Sequence, residues 1–146
     1  MRAVIQRVEK ADVKIDGEVF SEIGKGLVIL LGVEKGDTLE DVEFISRKVV
    51  ELRCFENGKN KMNIALKDAG GEVLVVSEVT LCTDLAGGRR PDFEMAAPPA
   101  VAERLYQDLV NLLKSQGAIV KQGKFKIHMR VNIVNDGPVT FFLKSR

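Results

Sequence analysis

Histidine is almost missing from this chain, with His128 the only one. One imidazole excludes a multi-histidine metal site within a single chain. It also leaves a serine or cysteine nucleophile with little to lean on, so His128 reads as a surface or edge-strand residue without catalytic duty. Cysteine is scarce as well: Cys54 and Cys82 show no C-x-x-C spacing, which argues against a disulfide scaffold or a zinc site. No stretch approaches the about 20 consecutive apolar residues of a membrane-spanning helix, since the longest greasy run is Gly26 to Val33. Met1 to Val8 carries Arg2 and Arg7 and has no signal-peptide core, so the expected location is the cytoplasm, away from membranes. Phosphate-cradling G-x-x-x-x-G-K-[ST] and G-x-G-x-x-G loops are absent, as are H-E-x-x-H, G-x-S-x-G and an EF-hand loop. Neither a metal nor a cofactor is expected.

What is present is the material of one globular domain over residues 1–146. The hydrophobic share is 45% and the charged share 29%, both ordinary for a packed chain and unlike disorder. Net charge is only +1 but unevenly spread. Gly117 to Arg146 holds Lys121, Lys124, Lys126, Arg130, Lys144 and Arg146 against one acid, Asp136, a balance of +5 that leaves −4 for the first 116 residues. That asymmetry fits a basic surface for an anionic partner, nucleic acid being one candidate. On charge alone the better fit is a solvated strand whose lysines discourage edge pairing.

The patterning mixes two periods. Arg2 to Asp16 alternates loosely and ends at Asp16-Gly17, a hairpin signal. Gly26 to Val33 is a continuous apolar run, expected as a strand buried on both faces. Asp37 or Thr38 can then cap a helix, with Glu40 or Asp41 as the capping-box acid and Val42, Ile45, Val49 and Leu52 on its apolar face. A loop, Asn57 to Lys61, follows, and strand composition returns over Gly71 to Cys82. Pro98-Pro99 can open a second helix with Val101, Leu105, Leu109 and Leu112 as its buried stripe and Gly117 as its C-terminal cap. Lys124 to Val134 alternates most cleanly, with Phe125, Ile127, Met129, Val131 and Ile133 on one face. A turn at Asn135 to Pro138 leads into a last strand, Val139 to Leu143. The expected fold is mixed α/β: a largely antiparallel or mixed sheet with two amphipathic helices packed on it.

Two stretches are candidates for chemistry. Ser77-Glu78-Val79-Thr80-Leu81 lies where a buried strand surfaces, a position at which the sheet holds side chains rigidly. Thr80 offers a hydroxyl there and Glu78 a carboxylate, although Ser and Thr are also ordinary strand-end residues. Asn135-Asp136-Gly137-Pro138-Val139-Thr140 is turn chemistry, and carbonyls held by such a turn can point into a pocket as fixed dipoles.

Over its whole length the chain resembles the D-aminoacyl-tRNA deacylases. The resemblance rests on Met1 to Val8, Gly17-Glu18, Ile23 to Gly26, Leu31 to Asp37, Gly58 to Asn63, Gly88 to Phe93 and Asn135 to Thr140. The family's S-Q-F-T-L motif is matched at Ser77, Thr80 and Leu81, with Glu78 in place of glutamine and Val79 in place of phenylalanine. Its G-x-F-G-A-x-M motif stands as Gly123-Lys-Phe-Lys-Ile-His-Met129, with Lys126 and Ile127 replacing Gly-Ala. The loop Asp84 to Arg89 lacks the lysine usually found before its second glycine.

The resemblance implies a homodimer with active sites at the subunit interface, and hydrolysis of the ester joining a D-amino acid to the 3′ end of tRNA. It implies a substrate-binding and chirality-selecting set of Gly137, Pro138, Ser77, Glu78, Val79, Phe125 and Met129, with a cis Gly137-Pro138 bond inserted into the neighbouring subunit's pocket. Thr80 is the disputed side chain, a nucleophile in one account and a positioning group beside the RNA in the other. Arg89, Arg90, Lys124, Lys126 and Arg130 are the expected contacts to the tRNA backbone. A filter that rejects L side chains by collision would let glycine through, so mischarged glycyl-tRNA is a candidate second substrate. The departures at Glu78, Val79, Lys126 and Ile127 keep one alternative open, a non-catalytic RNA-binding module of the same fold.

Overall fold

The computed structural model describes residues 1–59, 61–85 and 89–146. The alternating stretch at the start forms β1 (Arg2–Ile15), which turns at Asp16-Gly17 into β2 (Glu18–Ile23) as an antiparallel hairpin. The apolar run forms β3 (Gly26–Gly32), antiparallel to the first half of β1. A helix, α1 (Leu39–Glu51), leads through the short hairpin β4 (Phe55–Glu56) and β5 (Met62–Ile64) to β6 (Glu72–Ser77), parallel to β3. A second helix, α2 (Pro99–Ser115), leads to β7 (Ile119–Gln122), parallel to β6. Parallel neighbours need crossovers of this kind. The last strand, β8 (Arg130–Lys144), runs antiparallel along the other edge of β1. The sheet order is β2-β1-β3-β6-β7, with β8 joined to β1. Ser21 Oγ of β2 donates to the Gln122 carbonyl at the end of β7 (3.0 Å), so the sheet nearly closes on itself.

Strand period explains why the central strands are apolar at every position. Leu27, Ile29, Leu31, Val73 and Val75 face the helices, while Val28, Leu74 and Val76 face the opposite core with Val8, Val13 and Ile23. Each fully buried aliphatic side chain of this size contributes about 1.5–3 kcal/mol. The α1 cap is the expected one: the Asp41 carboxylate accepts from the Thr38 N–H at 2.8 Å, as a capping-box acid does. Burial alone would raise the Asp41 pKa, but hydrogen bonds from Ser145, Thr38 and Arg146, with the Arg146 charge, hold it at about 2. No helix among the described residues is long and apolar enough to cross a membrane.

Three expectations need correction. The strand expected over Lys124 to Val134 begins only at Arg130. Residues 125–127 form a turn in which Lys126 takes a positive φ of 61°, a conformation no strand contains, and His128 is exposed in this connection. Conversely, the turn expected at Asn135 to Pro138 does not end a strand, because β8 runs through it as a bulge. Gln6 faces Thr140 and Val8 faces Asn135, so Asp136 to Val139 stand opposite Arg7 alone. In α2 the buried stripe is Leu105, Tyr106, Leu109, Val110 and Leu113, with Leu113 rather than Leu112 turned fully inward.

Candidate active site

Strands β3, β6 and β7 are mutually parallel in series, so their C-terminal ends lie together. In sheets of this kind the crevice beyond those ends is where ligands bind. A cavity of about 320 Å³ opens there. Leu31 and Val33 enter it from β3 and the residue beyond, and Ser77, Glu78 and Val79 from the end of β6. Ala97, Pro99 and Ala102 line it from the start of α2, and Phe125, Lys126, Ile127 and Met129 from the turn before β8. The lining is mostly apolar, and among the described residues Glu78 and Lys126 are its only charged members.

Packing below holds the walls. The buried Tyr106 hydroxyl donates to the carbonyls of Val75 (2.9 Å) and Gly123 (3.2 Å), tying β6 to the turn that carries Phe125. Its ring lies 5.9 Å from that of Phe125. Burial pushes the phenol pKa up, so it stays a donor. Lys124 N–H points at Met129 Sδ (3.3 Å), which closes the turn across its neck.

After β6 the chain makes a 3₁₀ turn, Val79–Cys82. Gly32 is what lets this turn sit on β3. A Cβ there would come within 2.8 Å of Cys82 Sγ, 3.0 Å of Leu81 Cβ and 3.1 Å of the Glu78 carbonyl. From beneath, Arg2 Nη1 donates to the Leu81 carbonyl (3.0 Å), while Arg2 Nη2 pairs with the buried Glu34 (2.7 Å). Thr80 is exposed on the turn, outside the cavity lining, and its hydroxyl donates to a Glu78 carboxylate oxygen. Cys82, on the same turn, is buried, and burial followed by the charge of Glu34 pushes its thiol up to about 11. It is a protonated packing group at neutral pH. Among the described residues no cluster of three or more His, Cys, Asp or Glu side chains could hold a metal ion.

The β8 bulge is held as firmly as the cavity. Gly137-Pro138 is cis and both residues are exposed. Arg7, only 4% exposed, reaches the Asp136 carbonyl (3.2 Å) and carboxylate (3.0 Å) and donates to the Cys54 carbonyl (2.7 Å). Asn135 Nδ2 spans the neck of the bulge, donating to the carbonyls of Arg7 (2.8 Å) and Val139 (3.0 Å). Neither Gly137 nor Pro138 lines the cavity of its own chain. From Met129 to Asn135 alone the chain advances roughly 20 Å at about 3.3 Å per residue.

The structure thus gathers Ser77, Glu78, Val79, Phe125, Lys126 and Met129 into one cavity and leaves Thr80 at its rim. It sets Gly137 and Pro138 apart. Lys124 and Arg130 are exposed beside the cavity turn, and Arg89 and Arg90 are exposed after the 3₁₀ turn. Asn60 of the Gly58 to Asn63 motif and Gly88 of the Gly88 to Phe93 motif lie outside the described residues, as do positions 86 and 87 of the loop noted for its missing lysine. Leu31, Val33, Ala97, Pro99, Ala102 and Ile127 line the cavity without having been singled out as site residues. The proline pair at the start of α2 and the motif that contains Ile127 were the local signals for them.

A family model described as D-Tyr-tRNA(Tyr) deacylase matches residues 4–144. The chain is 51% identical over 146 residues to the D-aminoacyl-tRNA deacylase of Thermodesulfovibrio yellowstonii, covering 100% of both. It is 49% identical over 144 residues to the one from Carboxydothermus hydrogenoformans, covering 99% of each. Among solved structures it superimposes on a protein titled c-Myc DNA Unwinding Element Binding Protein with a TM-score of 0.95 at 40% identity, covering 100% of this chain and 99% of that one. A probable eukaryotic D-amino acid tRNA deacylase shares the fold at a TM-score of 0.79 and 15% identity, with 97% of each chain covered.

Proposed function

The chain belongs to the D-Tyr-tRNA(Tyr) deacylase family and hydrolyses the ester between a D-amino acid and tRNA, and from that premise we propose that residues 1–146 act as one deacylase domain whose apolar cavity receives the aminoacyl end. The observation that carries the assignment of the cavity is that Ser77, Glu78 and Val79 share its lining with Phe125, Lys126, Ile127 and Met129, nearly 50 residues further along the chain. In the reaction water attacks the ester carbonyl, the bond to the ribose 3′ oxygen breaks, and the proton from water ends on that oxygen. An aminoacyl ester is already activated, so positioning and fixed dipoles supply much of the barrier reduction, and the neighbouring ribose hydroxyl shares in the proton transfer. The test is hydrolysis of D-tyrosyl-tRNA against L-tyrosyl-tRNA, with the D-ester expected to be cleaved at least about 100-fold faster. Binding of tRNA without cleavage of either would establish the RNA-binding module instead.

Chirality is assigned to Gly137 and Pro138 of a second copy. Their carbonyls hold the substrate's amino group, and an L side chain then collides with backbone that cannot rotate away. Rejection of this kind spares glycine, which extends the substrates to mischarged glycyl-tRNA. The bulge does not line its own chain's cavity, and a two-fold axis can bring it to the partner's. In an isologous dimer each site is completed reciprocally. The midpoint between Met129 and Pro138 falls between Ile133 and Val134, of which Val134 is the exposed one, so the axis is placed beside it. Lys124, Lys126, Arg130, Arg89 and Arg90 are assigned to the tRNA phosphates.

Thr80 is assigned a positioning role: its hydroxyl hydrogen is committed to Glu78 and its side chain stands outside the cavity. Thr80→Ala is therefore expected to slow single-turnover deacylation by only about ten-fold, and Thr80→Ser to restore it. Complete loss in both variants would make Thr80 the nucleophile, whose removal costs several powers of ten.

A further inference from the structure

We propose, resting on the deacylase reading above, that Glu78 is a specificity-determining residue whose carboxylate pairs with the α-ammonium of the aminoacyl ester. The amino acid of an aminoacyl-tRNA enters a site of largely apolar lining, and its α-amino group travels with it, two bonds from the ester carbonyl carbon. An ammonium taken from water into such surroundings is costly unless it is paired and hydrogen-bonded, and in a poorly polar site the pairing is stronger than in solvent.

Among the lining residues there is one anion, Glu78. One of its carboxylate oxygens accepts the Thr80 hydroxyl hydrogen, which orients the group, and the other is bound by no described residue. The Glu78 backbone is fixed as well, since its N–H donates to the Leu31 carbonyl at 2.8 Å and its carbonyl accepts from Leu81 N–H at 3.3 Å. The carboxylate is therefore presented from a rigid stretch with one oxygen that no described residue binds. An ammonium has three hydrogens: two suit the carbonyls of Gly137 and Pro138 from the second copy, and the third suits Glu78.

Lys126 gives the pair a direction. It is the only cation among the described lining residues and comes from a different segment, the exposed turn before β8. It repels the ammonium and attracts the phosphate of the terminal nucleotide. The two charges thus orient a substrate that is positive at the amino group and negative at the nucleotide. Glu78 in this reading makes the free amino group a requirement, so esters lacking that charge are poor substrates.

The experiment compares D-tyrosyl-tRNA with the tRNA ester of D-configured 4-hydroxyphenyllactic acid, in which a neutral hydroxyl replaces the ammonium. The kcat/KM ratio of the amino ester to the hydroxy ester is measured for the full chain and for Glu78→Gln. The ratio is expected to fall at least about ten-fold in Glu78→Gln and to recover in part in Glu78→Asp, intrinsic differences between the esters cancelling in the comparison. An unchanged ratio, or equal loss on both esters, overturns the proposal, the latter assigning Glu78 to proton transfer. A direct measurement needs no variant. The unaltered protein should bind the non-hydrolysable 3′-amide of adenosine with D-tyrosine at least about ten-fold more tightly than its α-hydroxy counterpart, and equal affinities overturn the proposal. Failure of the unaltered protein to cleave D-tyrosyl-tRNA at all would instead remove the deacylase reading on which this one stands.

Discussion

Phe142→Asp should convert the protein from a particle of about 32 kDa to one near the chain mass of 16.1 kDa and abolish deacylation, with a loss of about a thousand-fold or more. Phe142 is 63% exposed in the middle of a strand, directly opposite Val4 of β1. Large apolar side chains on an open sheet face mark a contact surface when they cluster, and Val134 stands on the same strand near the proposed axis. Beyond its pairing with β1, β8 has no other strand partner among the described residues. A charge on that face would be buried unpaired in the dimer, which costs far more than it would on a free surface. Because Phe142 is exposed in the single chain, the substitution leaves the monomer's core intact, and the expected loss of activity follows from the missing Gly137 and Pro138 of the partner. Val134→Cys gives the complementary reading: a residue at a two-fold axis meets its own copy, so mild oxidation should trap a covalent dimer. Sedimentation and deacylation measured together decide the matter. A fully active monomer would remove the composite site, and a Phe142→Asp dimer would move the interface elsewhere.

Gly137→Ala is expected to lower kcat/KM for D-aminoacyl-tRNA by about 100-fold while shifting the melting temperature by less than about 10 °C. Gly137 has a φ of +137°, which L side chains rarely adopt, and a Cβ there would come within 2.6 Å of Val139 Cγ2 and 2.7 Å of Val139 N. The bulge must deform to admit it. Strain of this kind costs about 1–3 kcal/mol, enough to displace exposed carbonyls but too little to unfold a sheet anchored elsewhere. Arg7 and Asn135 hold the base of the bulge from residues the substitution does not touch, so the damage is confined to the tip. Unaltered kinetics in Gly137→Ala would show that the tip does not meet substrate.

Local signals in the chain carried much of the fold. Asp16-Gly17 set a hairpin between β1 and β2 because that pair accepts positive φ at both positions. Thr38 and Asp41 opened α1, and the apolar run of β3 announced a strand buried on two faces. Each is a short-range preference that tertiary packing reinforced. The site was legible differently. Ser77 to Thr80 and Asn135 to Thr140 stood out by composition, but composition does not say that Ser77 to Val79 line a cavity and that the other stretch is a bulge partway along β8.

Tertiary structure decided the rest, for reasons visible at particular residues. Lys124 to Met129 carries a strand's alternation, yet the chain turns there because Phe125 packs toward Tyr106 and Met129 folds back on Lys124. Asn135 to Val139 carries a turn's composition, yet β8 continues because β1 offers hydrogen-bonding partners on both sides of the bulge and buried Arg7 fills its base. Leu31, Val33, Ala97 and Ala102 are ordinary apolar residues that become a binding wall only where the ends of parallel strands meet the start of α2. Pattern and capping are properties of neighbours in the chain, so the sequence determines them by itself. A cavity is a property of segments brought together across the fold, and only the packing of this sheet against its helices placed Glu78 and Lys126 in the lining of one cavity.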